Sequence, residues 1–143
     1  MSDLTTAHTV TIDAPEERVW QALTTPAEIK GWFFGVDTES DWRQGGQLVH
    51  RGEYQGKPYE DKGEILRIEP PTLLVHTHWS DVSGLPDEPA SYQVVTWSLR
   101  ERDGRTDLTV SEENLPSEQA KATSDQSWPM VLENLQGLLE NRA

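Results

Sequence analysis

The chain has 143 residues and is read as a single domain over 1–143, with 34% apolar residues and six tryptophans to build a core. Twenty-five acidic against twelve basic residues leave a formal charge of -13, which argues against a phosphate-backbone binder and against an anionic membrane surface. There is no cysteine, so disulfides and thiolate-ligated metals are excluded; the N-terminus lacks the basic and apolar regions of a signal peptide, and a cytoplasmic protein without membrane insertion is expected.

In chain order, residues 7–13 alternate as a half-buried strand with Val10 and Ile12 on one face. Pro15, Glu16 and Glu17 then open a short helix, whose inward stripe is Val19, Trp20 and Leu23. Thr25-Pro26-Ala27-Glu28 predicts a second, briefer helix with a reciprocal capping box between Thr25 and Glu28. From there the hydrophobic period switches to two. Strands are expected at 34–39, 47–55 and 59–69, the second with Leu48, His50 and Tyr54 on one face. Pro70-Pro71 precedes a strand through Trp79, and residues 80–91 form a long loop, a candidate lid or rim.

Two more alternating strands follow, one carrying Val95, Trp97 and Leu99 and the other Leu108 and Val110, joined at Asp103-Gly104. Ser117 caps a final helix. In it Trp128, Val131, Leu132, Leu135, Leu138 and Leu139 share a face, so this helix is the natural cover for the sheet. Pro129 lies inside it and predicts a kink, or a restart near Ser127.

Four pieces in this order carry a family resemblance: V-T-I-D-A-P-E-E-R-V-W-Q-A-L-T at 10–24, I-K-G-W-F at 29–33, D-W-R-Q-G-G at 41–46 and S-W-P-M-V-L-E-N-L-Q-G-L-L-E at 127–140. With I-E-P-P at 68–71 and L-L-V at 73–75 between them, the chain resembles the SRPBCC (START-like) superfamily, and within it the group named after the activator of the Hsp90 ATPase, homologue 1-like. The resemblance implies an α+β helix-grip (START-like, Bet v 1-like) fold, a curved antiparallel sheet around a long C-terminal helix with two short helices after strand 1. It also implies either binding of a small apolar molecule under the last helix or association with a chaperone, while related branches include cyclases and lyases. No catalytic motif and no cofactor carry over, and the state expected is monomer or homodimer. Pro129 and the histidines at 76 and 78 depart from the family pattern.

The candidate ligand-binding residues are Trp97, Trp128, Tyr54, His76, His78, Glu112, Val131 and Leu135. The tryptophans would line a cavity, or else simply fill the core; Tyr54 and Trp79 would sit at a rim if register places them inward. His76 and His78 share a strand face. They could take a metal with His50 or Glu112 as third ligand, but a hydrogen-bonded or solvated pair is the simpler reading and no metal site is assigned. Parity turns Glu112 inward. It is then at the pocket mouth, bonded to Tyr54 or a histidine, or part of a frayed strand end; with a histidine it could act as general acid or base. The leading expectation is non-enzymatic binding of a small hydrophobic or amphipathic ligand. A chaperone-interaction module, using the acidic surface or the 80–91 loop, is the alternative.

Overall fold

A computed structural model describes residues 2–140. Strand β1 (Thr5–Ile12) leads into helices α1 (Glu16–Thr24) and α2 (Pro26–Trp32). A meander follows: β2 (Asp37–Ser40), β3 (Gln47–Tyr54), β4 (Lys57–Glu69), β5 (Leu73–Ser80), β6 (Gln93–Arg102) and β7 (Arg105–Glu113). Helix α3 (Glu118–Leu139) closes the chain. The strands form one antiparallel sheet in the order β1-β7-β6-β5-β4-β3-β2. Since β1 and β2 occupy opposite edges, α1 and α2 carry the chain across the whole width of the sheet. The result is the α+β helix-grip architecture, with the sheet curved around α3.

The tight turns follow from local chemistry. Gln55-Gly56 and Asp103-Gly104 both adopt left-handed φ at their two central residues, the geometry that matches the twist of flanking strands. Phe34 and Gly35 do the same, with φ of 53° and 71°, so the expected strand at 34–39 begins only at Asp37. The hairpin connection at 55–58 is likewise shorter than expected, because Lys57 and Pro58 already belong to β4.

Strand β4 bends in two ways. At Gly63 it passes so close to β5 that a Cβ there would lie 1.7 Å from the Thr77 carbonyl oxygen, so only glycine fits. Further on, the register with β5 shifts between Ile65 and Arg67, and the extra residue, Leu66, turns outward.

Helix α3 is continuous through Pro129, with neither a break nor a restart at Ser127. Proline costs about 3 kcal/mol in an isolated helix interior, and here tertiary contacts outweigh it. Val131, Leu132 and Leu135 are buried on the sheet side with Ile12, Val19, Leu108 and Val110. Ser117 accepts the Ala120 N–H at the helix start, as expected. Thr25, by contrast, makes no side-chain cap, and Glu28 pairs with Arg18 at 2.6 Å instead of reaching back to form the box.

Polar ties fasten α3 along β1. Asp125 accepts bonds from Thr6 Oγ1, from His8 Nε2 at 3.0 Å and from Lys121 Nζ at 3.0 Å. Gln136 Nε2 donates to the Thr11 carbonyl, and Glu140 accepts the Asp13 N–H. The helix also leans on α1 and α2. Its other flank stands over β3–β5 without comparable fastening, and that asymmetry opens a space beneath it.

Candidate functional site

The space is a cavity of about 890 Å³ between the concave face of the sheet, α2 and α3. Its aromatic wall is built from three elements: Trp32 on α2, Trp97 on β6 and Trp128 on α3. Trp32 and Trp97 meet edge to face at 5.8 Å, and Trp97 and Trp128 do so at 5.5 Å, arrangements the ring quadrupoles favour. Trp32 Nε1 is satisfied by the Ala22 carbonyl at 2.9 Å. Leu23, Ile29, Leu48, Leu74, Val95 and Val131 add aliphatic surface to the lining.

The polar side of the cavity follows from strand register. His50 of β3 faces Asp61 of β4, and Asp61 in turn faces Ser80 of β5, so a row of polar groups crosses three strands on one face. His50 Nδ1 shares a 2.8 Å hydrogen bond with Thr38 Oγ1, while its Nε2 has no partner among the described residues. Burial, and then the neighbouring His76 and His78, lower the pKa of His50 to about 3, so the ring is neutral.

His76 is also neutral, and its tautomer is determined. Trp97 Nε1–H can only donate, and it does so to His76 Nε2 at 3.2 Å. The proton therefore lies on Nδ1, which donates to the Thr77 carbonyl at 2.9 Å. Burial lowers this pKa to about 4. With both ring nitrogens engaged, His76 anchors Trp97 and is available neither as a metal ligand nor as a base.

His78 behaves in the opposite way. Burial disfavours its charge, but the hydrogen bond from Nε2 to Asp61 Oδ2 (3.1 Å) and the Asp61 and Glu112 carboxylates together raise its pKa. Asp61 is correspondingly held below the usual carboxylate range: burial opposes the shift, and the His78 bond and charge prevail. Among the described residues no group of three or more histidine or carboxylate side chains is arranged to hold a metal ion.

Glu112 is at neither the wet mouth nor a frayed strand end. It is 7% exposed, and its Oε1 accepts from Ser124 Oγ at 2.8 Å and from Trp128 Nε1 at 3.1 Å. Its partners are therefore on α3, not Tyr54 or a histidine, because the helix covers this end of β7. Glu112 Oε2 has no partner among the described residues. Among the described residues no histidine hydrogen-bonds to Glu112, whose charge reaches His78 only through space.

The family model described as Activator of Hsp90 ATPase homolog 1-like protein matches residues 13–140. The chain belongs to this family. As a member of the Hsp90-activator-like family it is similar to ChR145 from Cytophaga hutchinsonii, with 38% identity over 98% of this chain and 96% of that one and a TM-score of 0.84. CalU16 from Micromonospora echinospora is 29% identical, covering 94% of this chain and 73% of its own, with a TM-score of 0.73. CV1439 from Chromobacterium violaceum, 24% identical over 95% and 96% of the two chains, shares the fold with a TM-score of 0.82. No curated protein matches the chain.

In this Hsp90-activator-like chain the cavity brings together Trp97, Trp128, Tyr54, His76, His78, Glu112 and Val131. Leu135 is not part of the lining; one turn beyond Val131 it is sealed in the core. Tyr54 lies at the open mouth and is 70% exposed, beside Phe34 and Val82. Trp79 faces the outer side of the sheet. There it stacks on Tyr92 at 6.2 Å and donates to the Leu85 carbonyl, which together with the Lys62–Asp87 pair (2.6 Å) fastens the 80–91 loop. Sequence reasoning passed over Asp61, Trp32 and Ser124. Asp61 had a legible signal, since Tyr59, Asp61, Gly63 and Ile65 are in phase. No helix of the described residues is long and apolar enough to cross a membrane.

Proposed function

We propose that the protein binds a small hydrophobic or amphipathic molecule in the cavity between sheet and α3, without converting it. The observation that carries this reading is the cavity itself: about 890 Å³ of space whose surface is mainly apolar, built from tryptophans and aliphatic side chains, with its polar groups gathered along one side. Ligand sites generally have a volume of ~300–1,000 Å³ and this balance of walls. Apolar burial would supply affinity at about 25 cal/mol per Å², and the polar row would fix orientation. The test is a thermal-shift screen of lipids and aromatic metabolites, paired with native mass spectrometry of protein purified without denaturant. A ligand at 100 times its dissociation constant is expected to stabilise the fold by about 2.7 kcal/mol. Absence of any retained molecule together with unchanged melting across the screen would overturn the reading.

The family match over residues 13–140 favours a second reading, a chaperone-associated module that acts through its surface. Its expected mark is a change in the ATPase rate of Hsp90 when the protein is added, with the 80–91 loop or the acidic surface as the point of contact. An unchanged rate at saturating protein would set it aside.

A further inference from the structure

The cavity's charges are unevenly compensated. Asp61 Oδ2 meets His78 Nε2 at 3.1 Å, a contact that favours charge on the ring. Among the described residues Glu112 hydrogen-bonds to no basic side chain: its donors, Ser124 and Trp128, are neutral and both bind Oε1, while His78, which its charge also influences, is held by Asp61. The nearest basic residue on the facing stretch of α3, Lys121, is engaged by Asp125 on the β1 side. Glu112 lines the cavity, and a carboxylate oxygen without a protein donor gains most from a cation or strong donor that enters there. The rings beside it, Trp128 and Trp97, present π surfaces of the kind that attract an ammonium group. Among the described residues the only Lys or Arg in the lining is Lys57, at the exposed hairpin beside Tyr54 and Gln55. An anionic head group would therefore meet Glu112 with no basic side chain to receive it except His78, which is already held by Asp61.

Resting on the ligand-binding reading, we infer that the cavity selects a hydrophobic amine, its protonated nitrogen seated between Glu112 Oε2 and the indoles of Trp97 and Trp128. The apolar body of such a ligand lies against Leu74, Val95 and Val131. His50 Nε2, neutral and unpartnered, supplies a second polar contact for a ligand long enough to reach β3. The net charge of -13 concentrates cations near the protein before they enter.

The experiment compares three probes with one naphthyl skeleton, 2-(1-naphthyl)ethylamine, 2-(1-naphthyl)ethanol and 1-naphthylacetate, by isothermal titration calorimetry at pH 7. The amine is expected to bind at least about tenfold more tightly than the carboxylate, with the alcohol between them. Glu112→Gln keeps an oxygen for Ser124 and Trp128 but removes the charge. It should bring the amine to within about threefold of the alcohol while leaving the alcohol itself within about twofold. Equal or tighter binding of the carboxylate, or an amine preference that survives Glu112→Gln, would overturn the inference while leaving the cavity reading intact. Failure of all three probes to bind would count against both. Should Glu112→Gln fail to fold, the ranking of the three probes on the unaltered protein decides alone.

Discussion

His76 and His78 are two residues apart on one strand and share one face, yet burial makes one neutral and a carboxylate favours charge on the other. The sign of each contribution to stability follows. His78 has a raised pKa, so its contribution is complete below the ordinary value of 6.5 and is lost as pH rises through the folded value. His50 and His76, lowered to about 3 and about 4, act oppositely: below 6.5 the unfolded chain takes up protons that the folded one refuses. Each then costs about 1.4 kcal/mol per pH unit until it titrates. Asp61, with its lowered pKa, adds stability above 3.8 that is lost as pH falls through its folded value. The melting temperature is therefore expected to peak near pH 6.5 and to fall on the acid side, as differential scanning calorimetry across a buffer series would show. His76→Asn should make the acid limb shallower by about 1.4 kcal/mol per pH unit. At this scale the sequence was legible in parity and illegible in partnership. The i, i+2 spacing put both histidines on one face, and alternation from Leu108 turned Glu112 inward. No spacing rule could reveal that Glu112 meets Ser124 and Trp128, because those contacts depend on the height at which α3 crosses β7. Trp128→Phe removes one of those donors and should cost about 1 kcal/mol in urea denaturation.

At the scale of elements, α3 shows how tertiary packing overrides a local signal. Pro129 predicts a broken helix on propensity alone, but Trp128 and Val131 on either side of it are held in the cavity wall and the strand of ties to β1 fixes both halves. Pro129→Ala is expected to raise stability by about 1–3 kcal/mol, measured by chemical denaturation, since it restores a helical donor where the helix already exists. In β4 the lesson is reversed. The alternation of Tyr59, Asp61, Gly63 and Ile65 is regular, but the bulge at Leu66 shifts the face of everything beyond it, and a period-two pattern does not announce such an insertion. Gly63→Ala should destabilise by about 1–3 kcal/mol or more, because the added methyl meets the Thr77 backbone and no flexible side chain can yield. The second helix was placed correctly from Pro26, while its capping box was not: Arg18, one helix earlier, competes for Glu28 with a full charge.

For the molecule as a whole, self-repulsion is the main consequence of its composition. With a charge of -13 and many acidic groups at the surface, added salt should screen the repulsion and raise the melting temperature between low ionic strength and about 0.5 M sodium chloride. A flat or falling response would show that surface ion pairs, such as Arg51 with Glu60, outweigh it. The order of strand, two helices, meander and long helix was readable from alternation and turn residues. The cavity was expected through the family resemblance and not from alternation, because empty volume is set by where a helix is fastened, here along β1, and not by which face of it is apolar.

The edge-to-face chain of Trp32, Trp97 and Trp128 has an optical consequence. Indoles 5.5 to 5.8 Å apart exchange excitation, so they emit and absorb as a coupled set and not as separate chromophores. All three border the same interior space. A guest that displaces any one ring would therefore alter the near-ultraviolet dichroism and emission of the set, and the protein carries a label-free spectroscopic gauge of its own occupancy.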